Sequence, residues 1–154
     1  MALSFNGGKD CLVLLLLYIY VLHQQHFSYW HRIPTCFVTP PQTFTEIDDF
    51  VTDCATRYNL DVERIALPMK PAFMQYLEHH SNVKAVLVGT RRTDPHGEFL
   101  TYFDPTDRGW PSFMRVHPVI DWHYWEIWDV RFNSFYTLTD LVFTSVKSTV
   151  LCVI

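Results

Sequence analysis

The sequence lacks several features, and each absence narrows what the protein can do. It has no basic surplus: 12 Lys and Arg against 16 Asp and Glu leave a net charge of −4, which gives no electrostatic case for DNA or RNA as a partner. Its four cysteines, Cys11, Cys36, Cys54 and Cys152, fall neither in CxxC pairs nor in a dense framework. They read as reduced thiols of an intracellular protein and argue against a zinc site. No hydrophobic run reaches the roughly 18 to 20 residues that a membrane-spanning helix needs. The run Cys11–Leu22 is about a dozen residues long and is followed by His23-Gln24-Gln25-His26 with no small-residue cleavage site, so it reads as a buried helix and not as an anchor or signal peptide. With no targeting segment visible, the cytoplasm is the default compartment. Glycine is scarce as well, five in 154 residues, yet Gly7 and Gly8 stand side by side.

What is present alternates. The length suits a single domain. Leu3 to Phe5 reads as the end of a strand, Asp10 to Leu22 as a helix, and Ile33 to Thr39 as a strand bounded by Pro34 and Pro40-Pro41. Thr45 to Tyr58 has helical periodicity, with Phe50, Val51, Cys54 and Tyr58 on one side and acidic residues in the first turns. Leu60 to Leu67 reads as a strand, Lys70 to His80 as a helix, and Val83 to Val88 as a fully apolar strand ending at Gly89. This order predicts an α/β fold with a parallel sheet and helices on both faces. Ligands of such sheets bind at the carboxyl ends of the strands.

Two segments fall at such ends. Asn6-Gly7-Gly8-Lys9-Asp10 leads from a strand into a helix, where unpaired N–H groups and a positive helix end accept phosphate and Lys9 adds a mobile charge. The pattern is neither a Walker loop nor GxGxxG, and a plain turn capped by Asp10 accounts for the same residues. Val88-Gly89-Thr90-Arg91-Arg92-Thr93-Asp94-Pro95 also follows a strand and places two guanidiniums and a carboxylate at the same edge. Arginine forks bind phosphate oxygens through two points. Two such loops at neighbouring strand ends are hard to explain as packing.

The blocks SFNGGKDC, VGTRRTDP, PTDRGWPSFMRVHPVIDW and YWEIWD closely resemble the eukaryotic-type FAD synthase (FMN adenylyltransferase) family, within the adenine nucleotide alpha-hydrolase group related to PAPS reductases, over about residues 3 to 130. The resemblance implies a Rossmann-like nucleotide-binding domain over 1–130, followed by a divergent, shortened C-terminal segment over 131–154. It implies a nucleotidyltransferase that uses ATP and FMN as substrates with Mg2+, and makes FAD and pyrophosphate. Asn6, Asp10, Arg91, Arg92 and Asp94 match positions near the reacting phosphates. Ser4, Gly7, Gly8, Lys9 and Gly89 fall to nucleotide binding, while Asp107, Trp110 and Arg115 fall to the flavin side. Asp10 or Asp94 would help place Mg2+.

The chemistry itself asks little of the side chains. An FMN phosphate oxygen attacks the α-phosphorus of ATP, so two anions must be aligned and spreading negative charge absorbed, with no protein nucleophile. Cys11 then reads as a packed thiol, and His117 as a loop-fixing donor and not a base. Trp110 and Trp122 either wall a flavin or belong to the core. Two other readings stand beside the transferase: a truncated relative that binds nucleotide or flavin without efficient transfer, and a PAPS-reductase-like enzyme, which needs Cys152 as its catalytic thiol.

Overall fold

The computed structural model describes residues 1–25, 32–39, 42 and 44–133, with side chains as far as Arg131. In chain order the elements are β1 (Ala2–Ser4), α1 (Lys9–Gln24), β2 (Ile33–Val38), α2 (Thr45–Arg57), β3 (Leu60–Ile65), α3 (Met69–His79), β4 (Ala85–Leu87), β5 (Phe103–Pro105), β6 (Met114–Val116) and α4 (Tyr124–Asn133). The strands form one sheet in the order β3-β2-β1-β4-β6-β5. All neighbours are parallel except β5, which runs antiparallel to β6 at the edge. The expected parallel sheet is therefore mixed at one margin.

The chain winds outward from β1 to β3 and then returns across to β4, and this reversal puts helices on both faces. Leu3 and Phe5 pack with Leu14, Leu15 and Tyr18 of α1 and with Val51 and Cys54 of α2. Ala2, Cys36 and Val86 pack with Ala72, Phe73 and Tyr76 of α3 on the other side. The reversal lies between β1 and β4, so a crevice opens there at the carboxyl ends of the two strands.

The apolar run in α1 has a simple cause. Val13 to Tyr18 are six consecutive buried residues. One side of the helix meets the sheet, while Val13, Leu17 and Val21 meet Val119 and Ile127 of the segment leading through α4. A helix covered on two sides has no polar face to show.

Three details differ from the sequence reading. Pro34 does not bound β2 but is its second residue; the ladder from β1 begins at Thr35, one position later, so the missing N–H sits near the strand start. Phe50, expected on the buried side of α2, is 37% exposed. The strands β5 and β6 and the helix α4, for which the sequence offered no pattern, complete the second half. Of the C-terminal segment expected over 131–154, only residues 131–133, the end of α4, are described; residues 134–154, including Cys152, lie outside the described residues.

Candidate functional site: a crevice between the first and fourth strands

The glycine loop follows β1 directly. Gly7 takes φ +76°, and a Cβ there would stand 3.3 Å from Ile47 Cγ2, so α2 roofs the loop closely with Ile47 and Phe50. The Gly8 N–H donates to Asn6 Oδ1 at 2.9 Å, which folds the loop onto itself. Gly8 is the N-cap of α1, and no side chain caps the helix. Asp10 is not the cap, contrary to the plain-turn alternative: it lies in the first turn. The start of α1 thus keeps its positive end facing the crevice.

The loop after β4 packs against that helix start. A Cβ on Gly89 would lie 3.1 Å from Cys11 N and Sγ and 3.2 Å from the Asp10 carbonyl carbon, so any larger residue there would push the two loops apart by a few tenths of an ångström. Arg91, 7% exposed, then joins them. Its Nε stands 2.9 Å from Asp10 Oδ1 and its Nη2 3.4 Å from Asp94 Oδ1. The Arg91 N–H also donates to Asp94 Oδ2 at 2.8 Å. On the other side, Lys9 Nζ is 2.7 Å from Asp10 Oδ2. Lys9, Asp10, Arg91 and Asp94 form a continuous alternation of charge, most deeply buried at Arg91 and more open to solvent at Lys9 and Asp94.

Arg92 is not part of this chain. Its Nε meets Asp121 Oδ1 at 2.6 Å, and its Nη1 donates to the carbonyls of Glu98 and Leu100 at 3.1 and 2.8 Å. The same contact holds the Asp121 carboxyl below its ordinary range. Arg92 is a strut of the loop between β4 and β5.

The thiol of Cys11 is pushed up to about 11, chiefly by burial, which removes it as a nucleophile at neutral pH and fits a packed thiol. His117 is buried, and burial lowers its pKa. Its ring Nε2 stands 3.8 Å from Asp104 Oδ2, and neither ring nitrogen has a hydrogen-bond partner among the described residues. The loop is instead fixed by the His117 backbone N–H, which donates to the Tyr102 carbonyl at 2.9 Å.

Sequence comparison places this architecture. The sequence model of the phosphoadenosine phosphosulfate reductase domain matches residues 1–75 and 68–146. The chain belongs to the phosphoadenosine phosphosulfate reductase domain family. Within it, the chain is 48% identical over 138 residues to a protein of Schizosaccharomyces pombe named as a probable FAD synthase, covering 87% of this chain and 52% of that one. It is 34% identical over 151 residues to the flavin adenine dinucleotide synthase of Saccharomyces cerevisiae, covering 85% and 49%. The chain therefore spans about half the length of these relatives. Among solved structures, Candida glabrata FMN adenylyltransferase in complex with FMN and the ATP analogue AMPCPP superposes with a TM-score of 0.78 at 36% identity, covering 82% of this chain and 46% of that one. Yeast FAD synthetase in complex with FAD gives 0.75 at 35%, covering 86% and 49%. A phosphoadenylyl-sulfate reductase of Candida auris, at 12% identity and TM-score 0.55, shares the fold.

Of the remaining candidates, Ser4 is the last residue of β1, at the carboxyl end where the crevice opens, and pairs in register with Cys36. Arg115 turns to the carbonyls of Asp104 and Pro105 and braces the β5–β6 pair. Asp107 is exposed at the turn before β6, and Trp110 of the same turn leans on Phe73 of α3, with ring centroids 6.4 Å apart. Lys70, the second residue of α3, donates to the Arg108 carbonyl at 3.4 Å, which draws the tip of that turn toward the start of α3. Beneath it lies a cavity of about 450 Å3 lined in part by Met74, Leu77, Lys84 and Trp110. Trp122 packs with Tyr20 and Val130 against the α1–α4 cluster, on the core side of the two alternatives.

The carboxylates Asp10 and Asp94 offer hard oxygen donors suited in kind to Mg2+. The Arg91 guanidinium bridges them, however, and Lys9 takes the other Asp10 oxygen. As they stand, they do not fit a metal ion held by both. Among the described residues no cluster of three or more His, Cys, Asp or Glu side chains forms a metal site, and no helix is long and apolar enough to cross a membrane.

Proposed function

We propose that the chain binds ATP and FMN and transfers the adenylyl group of ATP to the FMN phosphate, giving FAD and pyrophosphate. The observation that carries this reading is the joining of the β1 and β4 loops through Arg91 with Asp10 and Asp94 at the sheet reversal. It agrees with the 36% identity to an adenylyltransferase seen with FMN and an ATP analogue.

In this reading the backbone of Asn6 to Gly8 and the start of α1 hold the triphosphate, and Lys9 offsets its charge. Asp10 and Asp94 keep Arg91 aimed at the crevice, where its remaining N–H groups meet charge that develops as pyrophosphate leaves. The FMN monoester is already largely ionised at neutral pH, so its oxygen attacks without a general base. Asp107 and Trp110 would face the flavin. A magnesium ion, if it travels with ATP, would meet carboxylates already paired with cations, and no step is assigned to it.

A second reading, binding without efficient transfer, draws on Arg92, whose guanidinium is committed to Asp121 and two carbonyls. One assay separates the two. Purified protein with FMN, ATP and Mg2+ is followed for FAD and pyrophosphate by chromatography, with Asp94→Ala as control. FAD formation that the control loses supports transfer. No FAD at ATP concentrations that saturate binding in a titration would leave only the binding role.

A further inference from the structure

The Lys9 ammonium has a second neighbour besides Asp10. It stands over the ring of Tyr124, 5.6 Å from the centroid. Tyr124 opens α4 and is 58% exposed, so its place is not explained by core packing. It is nonetheless held in place. Its ring meets Trp128 edge-on at 5.9 Å, and the Arg131 guanidinium lies 4.8 Å from the centroid of the Trp128 ring. The helix below is anchored to α1 through the fully buried Ile127, and the carboxylate of Glu126 accepts the His123 N–H at 2.6 Å at the helix entry.

The geometry points to Tyr124 as a positioning residue for Lys9. A lysine paired only with its neighbour Asp10 would fold down onto that carboxylate or swing free on its long stem, and either state loses rotamer freedom or an ion pair when it captures phosphate. The face of an aromatic ring attracts an ammonium without neutralising it. Tyr124 thus offers Lys9 a seat at the mouth of the glycine loop while leaving its charge available to an incoming polyphosphate. The inference rests on reading the glycine loop as the ATP phosphate site and deepens it by one residue from a helix far along the chain.

The test is calorimetric titration of wild type, Tyr124→Phe and Tyr124→Leu with ATP and Mg2+, with FAD formation and melting temperature measured on the same samples. Loss of the ring face should weaken ATP binding roughly two- to fivefold, the size of an exposed cation–π contact, with kcat and melting little changed. The phenylalanine variant should bind as wild type does. Equal affinity for wild type and Tyr124→Leu overturns the assignment, as does a Tyr124→Phe variant as weak as the leucine one, since that would credit the hydroxyl. Wild type that binds ATP but forms no FAD counts against adenylyl transfer and leaves the Tyr124 result intact. Wild type that binds no ATP overturns both.

Discussion

Arg91 is the residue on which the site turns. A nearly buried guanidinium with two carboxylates is stable only as a set, because removing the cation leaves Asp10 and Asp94 facing each other. Arg91→Met is expected to cost roughly 2 to 4 kcal/mol in denaturant unfolding and to abolish ATP binding; the lower end reflects the partial solvent access of the two carboxylates. Arg91→Lys should recover little of either, since one ammonium cannot span both partners. Gly89→Ala forces a methyl against Cys11 and the Asp10 backbone, and should cost about 1 to 3 kcal/mol and weaken ATP in the same titration. The sequence brought Asn6, Lys9, Asp10, Arg91 and Asp94 to one place for a sound reason: both loops follow parallel strands. It could not separate Arg91 from Arg92. Neighbouring loop residues point in different directions, and which one turns inward depends on where Asp94 and Asp121 lie, one three residues away and the other 29.

At the scale of elements, α4 explains what the sequence left open. The run through α1 was legible as a buried helix, but its second cover was not, because Tyr124–Asn133 carries no strong apolar periodicity of its own. Ile127→Ala should cost about 3 kcal/mol by calorimetric or denaturant unfolding, as for other fully buried aliphatics. It should also bare the Val13, Leu17 and Val21 face of α1. The strands β5 and β6 escaped notice because three residues are too few to show alternation. The end of β6 has its own signature. Burial holds His117 below 6.5, with the Asp104 carboxylate opposing and Arg115 assisting. Below about pH 6.5 the unfolded chain therefore binds a proton that the folded chain refuses, and stability falls with pH until the buried ring is titrated too. Denaturation midpoints measured between about pH 7 and 5.5 should drop in wild type and drop less in His117→Asn.

For the whole molecule, the order β3-β2-β1-β4 does what no single motif does. It sets the reversal of winding beside β1, so that a loop at residue 7 and a loop at residue 91 share one crevice while α3 is carried to the opposite face. The alternation of strands and helices made this arrangement readable in outline. The turn bearing Asp107 and Trp110 was not placeable in that way, because its position depends on Lys70 and Phe73 of α3 and not on any strand end. The most direct test is a crystal structure of the protein with AMPCPP and FMN. The triphosphate should lie over the backbone of Asn6 to Gly8, with Lys9 and Arg91 within hydrogen-bond reach of its oxygens and the flavin phosphate in line with the α-phosphorus. A triphosphate bound elsewhere, or one that leaves Arg91 out of reach, would contradict a nucleotide site built between the first and fourth strands.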